Sequence, residues 1–222
     1  MNSTKNRPYV IINCAMSLDG KIASPSGKQI KISSDEDIKR MYQLRNECDA
    51  VLVGINTVLS DDPKLTVKEK YVPNPQQPIR VILDSTCKTP KQALILNNKA
   101  QTIIITAKGN EQPPIENHIE IIGCKTDNDG HINIEAMLQI LAEKNIKKVL
   151  VEGGGTVIWS FIQHKCVDDM FVYIGSMIIG GKNTPKIIMD NAIDNKHEVI
   201  PLNLIKTKKM GEGILLHYRL IP

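Results

Sequence analysis

Glu152 is followed directly by Gly153, Gly154, Gly155 and Thr156, and these five residues stand between two apolar segments, 147–151 and 157–163. The first segment, KKVLV, is rich in β-branched residues and predicts a strand. In the second, Val157, Trp159, Phe161 and Ile162 have a spacing compatible with a partly buried helix. Backbone without side chains at a strand-to-helix step lets N–H groups approach an anion, and the helix start adds a favourable field. The pattern predicts a phosphate or pyrophosphate cradle, with Glu152 at the strand tip able to hydrogen-bond a polar group of the ligand. A tight turn that packs helix against strand would use the same glycines.

The stretch VGINTVLSDDPKLTV repeats the strand-to-helix step at Gly54. If the short segment after it is helical, Thr57 and Asp61, four residues apart, share a face. A hydroxyl and a carboxylate on a loop lip suit ligand positioning, although Asp61 and Asp62 would equally serve as turn formers before Pro63. In AMSLDGKIA, Ser17, Asp19 and Gly20 predict a turn after the first strand, with Gly20 free to take a positive φ. Asp84 and Ser85 close the run IRVILDS and carry the same two readings, turn or site.

Missing patterns narrow the chemistry. There is no H-E-x-x-H, no G-x-S-x-G elbow, and no H-x-E paired with P-C-x-x-C. His118, His131, His164, His197 and His217 stand apart in the sequence and predict surface or packed roles rather than metal ligation. Glycine and hydroxyl loops with few titratable groups suit an enzyme whose cofactor brings the reactive group. The residues therefore predict a nucleotide-binding α/β protein, an oxidoreductase.

Such a site needs strands that end together and helices that begin there. Short runs rich in Ile and Val recur: YVIINCAM, AVLVGI, IRVILDS, TIIITA, IEIIG, KKVLVEG, MFVYIGSMIIG and GILLHYRLI. They predict strands, several of them buried on both faces. Between them, SSDEDIKRMYQLRNEC opens on a Ser/Asp/Glu cluster suited to a helix cap and first turn, with Ile38, Met41, Tyr42 and Arg45 following at helical spacing. Ile134, Met137, Leu138 and Leu141 give a second stripe at i, i+3, i+4, i+7. Alternating strands and helices predict an α/β fold with a largely parallel central sheet. The tail from Ile187 onward has strand runs without a helical pattern and predicts added antiparallel strands.

Bulk composition agrees. The chain has 222 residues, 41% hydrophobic and 23% charged, and fits a single domain. Lys and Arg number 28 against 24 Asp and Glu, a net charge of +4 spread along the chain. Only Lys5 to Arg7 and Lys206 to Lys209 cluster, which predicts a solvated surface rather than a nucleic-acid stripe. Five separated cysteines predict free thiols in a reducing compartment. No apolar signal core or membrane span stands out, so a cytoplasmic location and no membrane partner are expected.

Taken in order, MSLDGKIA, VGINTVLSDDPKLTV, PIRVILDS, VLVEGGGTVIWSFI and IIGGKNTP resemble the reductase family of riboflavin biosynthesis, over residues 8–218. The resemblance implies a dihydrofolate-reductase-like fold, one reductase domain across residues 1–222, and a homodimer. Bacterial relatives often carry this reductase behind a zinc deaminase; here the deaminase motifs are absent, as in the stand-alone archaeal or fungal type. NADPH is the implied cofactor. The implied substrate is 2,5-diamino-6-ribosylamino-4(3H)-pyrimidinone 5′-phosphate, reduced at C1′ to the ribitylamino product.

Carried over by motif, Thr57, Asp61, Asp84, Ser85 and Gly123 match cofactor-side positions, and Gly153, Gly154, Gly155 and Thr156 match the loop on the cofactor phosphates. Ala15 is implied to line the nicotinamide pocket. On the substrate side the resemblance implies Arg45 at the ribosyl phosphate and Glu152 at the reacting end. Lys68 stands where bacterial relatives often have Arg, and Asn13 where they often have Lys. Activity on the deaminated pyrimidine or on dihydrofolate, and a non-catalytic nucleotide-binding regulator, are the competing readings.

Overall fold

The computed structural model describes residues 7–188 and 199–221. Lys5 and His197, noted above, and part of the tail lie outside them. In chain order the elements are β1 (Tyr9–Ser17), α1 (Asp35–Asn46), β2 (Ala50–Gly54), α2 (Ile55–Asp61), β3 (Ile79–Leu83), a 3-10 turn (Leu94–Leu96), β4 (Thr102–Ala107), β5 (Ile119–Cys124), α3 (Ile134–Glu143), β6 (Lys148–Gly153), α4 (Gly155–Gln163), β7 (Asp169–Gly175), β8 (Leu202–Met210) and β9 (Gly213–Leu220).

All nine strands join one sheet in the order β5-β4-β3-β2-β6-β1-β7-β9-β8. β1 to β7 run parallel; β9 pairs antiparallel with β7, and β8 with β9. The chain walks outward from β2 to β5, returns to insert β6 between β1 and β2, and only then adds β7. That insertion puts the tip of β6, with Glu152 and the glycines, in the middle of the sheet. Strand ends where the chain reverses direction are where open α/β sheets bind ligands.

Helices cover both faces, which is why the strands read as unbroken apolar runs. On one face Ile134, Met137, Leu138 and Leu141 of α3 and Ile158, Phe161 and Ile162 of α4 pack on Val10, Ile12, Leu52 and Val151. Burying each such aliphatic side chain contributes about 1.5–3 kcal/mol. On the other face Ile11, Val51, Val53 and Leu150 pack with Val58 of α2 and Leu44 of α1. Ser34 caps α1 by accepting from the Asp37 N–H at 3.2 Å. The buried Arg80 guanidinium bonds Asn97 Oδ1 at 3.0 Å and the Ala100 carbonyl at 2.6 Å, pinning the loop after the 3-10 turn.

The run MFVYIGSMIIG is strand only to Gly175. A side chain there would meet the Ile32 carbonyl at 2.8 Å, so the loop carrying Ile32 crosses directly over the strand end. Residues 176–181 then leave the sheet as a loop, held by Asp19, which accepts from the N–H groups of Ile179 at 3.0 Å and Gly180 at 2.7 Å. The predicted turn at Ser17, Asp19 and Gly20 thus clamps two loops together, with Gly20 at φ 77°. The five cysteines are free.

Candidate active site

The C-terminal ends of β1, β2, β3 and β6 open into a groove of about 960 Å³. Both α2 and α4 begin at its edge, after Gly54 and Gly154. Gly153 has φ +153°, which side-chain-bearing residues rarely adopt, so glycine is required there. Gly154 donates its N–H to Thr57 Oγ1 at 3.0 Å, fastening the glycine turn to α2. A side chain on Gly54 would meet Val157 Cγ2 at 2.7 Å, so this glycine lets α4 lie close against β2.

Glu152 owes its position to a register shift. Leu52 pairs with Val151, but the next residue, Val53, pairs with Gly153, leaving Glu152 as the extra residue of a bulge. Bulges bend the strand and redirect a side chain. Here the carboxylate meets Arg45, whose Nε and Nη2 donate to Oε1 and Oε2 at 2.7 and 2.6 Å. Arg45 Nη1 also donates to the Thr66 carbonyl at 3.1 Å. Each side chain of the pair is 11% exposed. Burial opposes the Arg45 charge, and the Glu152 carboxylate more than offsets this, holding the guanidinium pKa above its ordinary value. The two-pronged face of Arg45, expected on a phosphate, is thus taken by Glu152; two of its five N–H groups remain.

The groove brings together Ala15, Thr57, Asp61, Ser85, Glu152, Gly153, Gly154, Gly155 and Thr156. Five other sequence candidates do not line it. Arg45 lies behind Glu152. Lys68 is exposed on the ring of Tyr42, its Nζ 5.5 Å from the centroid, with the Arg45 guanidinium 5.3 Å from the same ring. Asn13 is buried and accepts from Arg40 Nη2 at 2.7 Å. Asp84 is fully buried, and its Oδ2 accepts from the Thr89 N–H and hydroxyl, both at 2.7 Å. Gly123 lies under the Glu111 side chain.

Sequence reasoning missed the wall opposite the glycines. It is built by residues 22–33, including Ile30, Lys31 and Ile32, an aperiodic loop whose only signals are Pro25 and Gly27. The Tyr42–Tyr71 stack, with centroids 4.6 Å apart, also went unread because Tyr71 sits in a proline-bearing loop far along the chain. Cys14 lines the groove too, and burial pushes its thiol up to about 12, away from the thiolate form. His131 also lines the groove, and Asp127 and Asp129, four and two residues before it in the sequence, bring ligand-type atoms within 4.8 Å of its ring on an exposed turn. Among the described residues no helix is long and apolar enough to cross a membrane.

A mostly parallel sheet whose central strand ends in a glycine turn and a helix start, beside a largely shielded carboxylate, defines an α/β protein with a ligand groove at its strand ends, and its structural neighbours make the fold dihydrofolate-reductase-like. The chain belongs to the RibD C-terminal domain family, whose sequence model matches residues 8–216. It is 36% identical over 220 residues to the 2,5-diamino-6-ribosylamino-4(3H)-pyrimidinone 5′-phosphate reductase of Archaeoglobus fulgidus, covering 96% of this chain and 98% of that one. A reductase of the same name from Methanothermobacter thermautotrophicus is also 36% identical, over 217 residues, 96% of this chain and 98% of that protein. Among solved structures, the bifunctional deaminase/reductase of Thermotoga maritima superposes with a TM-score of 0.79 at 30% identity, over 98% of this chain; the chain spans 58% of that longer protein. The yeast riboflavin biosynthesis reductase Rib7 shares the fold, with a TM-score of 0.78 at 22% identity over 100% of this chain and 93% of that one. The protein is an oxidoreductase of riboflavin biosynthesis.

Proposed function

We propose that the protein uses NADPH to reduce C1′ of the ribosyl group of 2,5-diamino-6-ribosylamino-4(3H)-pyrimidinone 5′-phosphate, giving the ribitylamino product. The observation that carries the reading is the bulge that sets a largely shielded, Arg45-bound Glu152 beside the glycine turn, within one groove. A groove of about 960 Å³ is large enough for a dinucleotide and the reacting end of a second molecule. Gly153 and Gly154 present backbone with the Thr57 hydroxyl beside it, and a nine-residue helix begins immediately after them, which fits a pyrophosphate.

When bound, the nicotinamide supplies a hydride. Gly153, Gly154, Gly155 and Thr156 hold the cofactor phosphates, with Thr57 keeping the turn in shape through Gly154. Ser85 and Asp61 lie along the same groove, and Ala15 flanks the nicotinamide end. Asp84 acts one step back, fixing the turn that presents Ser85. Gly123 keeps the β5 edge low enough for Glu111 to cross it.

On the substrate, opening of the ribosylamine leaves C1′ doubly bonded to nitrogen. Hydride addition at C1′ and proton uptake at nitrogen complete the reduction. Glu152, held in place by Arg45, accepts hydrogen bonds from the opened pentose and so orients C1′. Orientation of this kind removes several kcal/mol of barrier without any chemical step by the protein. The two remaining N–H groups of Arg45, with Lys68 across the Tyr42 ring, meet the 5′-phosphate; Asn13, bound to Arg40, stands outside this contact. The loop 22–33 closes one side of the groove, with Ile22, Ala23, Ile30 and Ile32 as its apolar part. The working unit is a cytoplasmic homodimer of one reductase domain per chain.

The test is an incubation with NADPH deuterated at the transferring position and freshly prepared ribosylaminopyrimidine, with the label located in the product by NMR. Deuterium on C1′ is expected. Substrate recovered unreduced, while the dinucleotide still binds, overturns the reading.

A further inference from the structure

A second cleft, of about 440 Å³, lies outside the groove described above, between α1 and the β8–β9 hairpin. Its near wall is one face of α1, with Glu36, Lys39, Arg40 and Gln43 at helical spacing. Its floor is Phe171, His217 and Leu215, and its far wall is Lys206 and Lys208 of the edge strand. One end is shut where α1 grips the hairpin turn: the Ser34 hydroxyl donates to the Met210 carbonyl at 3.2 Å, and Glu36 accepts from the Gly211 N–H at 3.0 Å.

Two features make this more than a place where lysines meet solvent. The first is a bulge. Leu202 and Leu204 lie opposite Leu220 and Tyr218, on the face away from α1, and unbroken alternation would put Lys206 and Lys208 there as well. The register instead shifts between Leu204 and Lys206, so that Lys206 faces His217 and Lys208 faces Leu215. The extra residue, Ile205, turns both lysines into the cleft.

The second is Arg40. Its Nε and Nη2 both donate to Asp37 Oδ1, at 2.8 and 2.7 Å, and Nη2 also donates to Asn13 Oδ1 at 2.7 Å. The side chain is 17% exposed, and its guanidinium, lying 5.7 Å from the Phe171 ring centroid, is therefore fixed in place. Nη1 keeps both of its N–H groups without a partner among the described residues. Four cations line the cleft; Asp37 balances one of them, Arg40, and the one carboxylate in the lining, Glu36, is bound to Gly211.

We propose that this cleft is a binding site for a phosphorylated small molecule, distinct from the reductase groove. The phosphate meets Arg40 Nη1 and the ammonium groups of Lys39, Lys206 and Lys208, and the rest of the molecule lies on Leu215 and the His217 ring. A guanidinium already held by other bonds loses little freedom on capturing a phosphate. The closed end and small volume suit a metabolite rather than a nucleic-acid strand. The proposal does not depend on the identity of the reductase substrate.

The experiment titrates the full chain with inorganic pyrophosphate while following the histidine imidazole resonances by NMR. His217 reports on the cleft and His131 on the groove. A saturating shift of His217 is expected. In a Lys206→Glu/Lys208→Glu variant its midpoint should move to about tenfold higher pyrophosphate, while dinucleotide binding and the His131 response stay unchanged. Lys206→Ala/Lys208→Ala repeats the test if the charge reversal impairs folding. A response at His131 alone, an unchanged His217 midpoint in the variants, or a protein dimer that the variants dissociate, leaving the cleft covered by a second copy, overturns the proposal.

Discussion

Glu152→Gln tests the centre of the site, because it removes the charge and leaves the shape. The wild-type pair has bonds of 2.7 and 2.6 Å with both side chains 11% exposed, so the interaction is largely shielded from water. Removing one partner of a buried pair leaves an uncompensated charge and costs about 3–5 kcal/mol. The slight exposure and the Thr66 carbonyl on Nη1 favour the lower end, about 3 kcal/mol. For a chain of this size about 2–4 °C of melting temperature is lost per kcal/mol, so the midpoint should fall by about 6–12 °C.

The double variant Arg45→Met/Glu152→Leu separates stability from function. Two apolar side chains of similar volume bury no charge, so the fold should recover to within about 1 kcal/mol of wild type. Substrate affinity should not recover, because neither the carboxylate nor the guanidinium is there to meet the pentose and its phosphate. Urea unfolding, read as a midpoint change at constant slope, gives the stabilities, and fluorescence titration gives the affinities. A single-variant cost below about 1 kcal/mol, the level of an exposed pair, would refute the claim that burial makes this pair. So would a double variant no more stable than the single.

Gly153→Ala forces a side chain onto φ +153° and should cost about 1–3 kcal/mol while weakening dinucleotide binding; unchanged unfolding and affinity would show that the turn relaxes freely. Asp169 should dominate part of the acid response. Burial raises its pKa, but hydrogen bonds from Tyr9, from His217 at 2.8 Å and from Arg219 at 2.9 Å outweigh this and hold it below 3.8. A depressed carboxylate contributes stability above its unfolded value that is lost as pH falls through the folded one. Wild type should therefore lose more stability than Asp169→Asn between pH 6 and pH values below about 4, measured by urea midpoints; parallel profiles would exclude the network as the cause.

Much of the fold was legible because periodicity reports burial. The stripe Ile134, Met137, Leu138 and Leu141 is buried in α3, and the Ile/Val runs are strands covered on both sides. The glycine turn was legible as a geometric need, since only glycine tolerates the φ of Gly153. The pairing of Arg45 with Glu152 was not, because 107 residues separate them and no local pattern joins a helix to a distant strand tip. Nor was the wall 22–33, whose residues are ordered by contact with Gly175 and Pro185 rather than by any repeat of their own. Asp84 ends its strand as read, but whether it faced the groove or its own turn depended on Thr89 folding back to cap it.

The two bulges explain why the charged residues were the hardest to place. In a strand the face alternates with every residue, so a one-residue shift exchanges the faces of everything beyond it. Apolar residues in a sheet covered on both sides hide such a shift, since Val151 is buried whichever helix layer it meets. A charge does not hide it. Glu152 can leave the core only because the chain slips one residue against Val53, and Lys206 and Lys208 reach the α1 face only because Ile205 is skipped. Deleting Ile205 should therefore remove the bulge yet leave Lys206 opposite His217 and Lys208 opposite Leu215, so the pyrophosphate response of His217 is kept. Lys206→Thr/Thr207→Lys/Lys208→Thr, which moves the charge to the opposite face, should abolish that response while the dinucleotide still binds. A response that survives this exchange of faces would mean that lysine composition, and not the register of β8, builds the cleft.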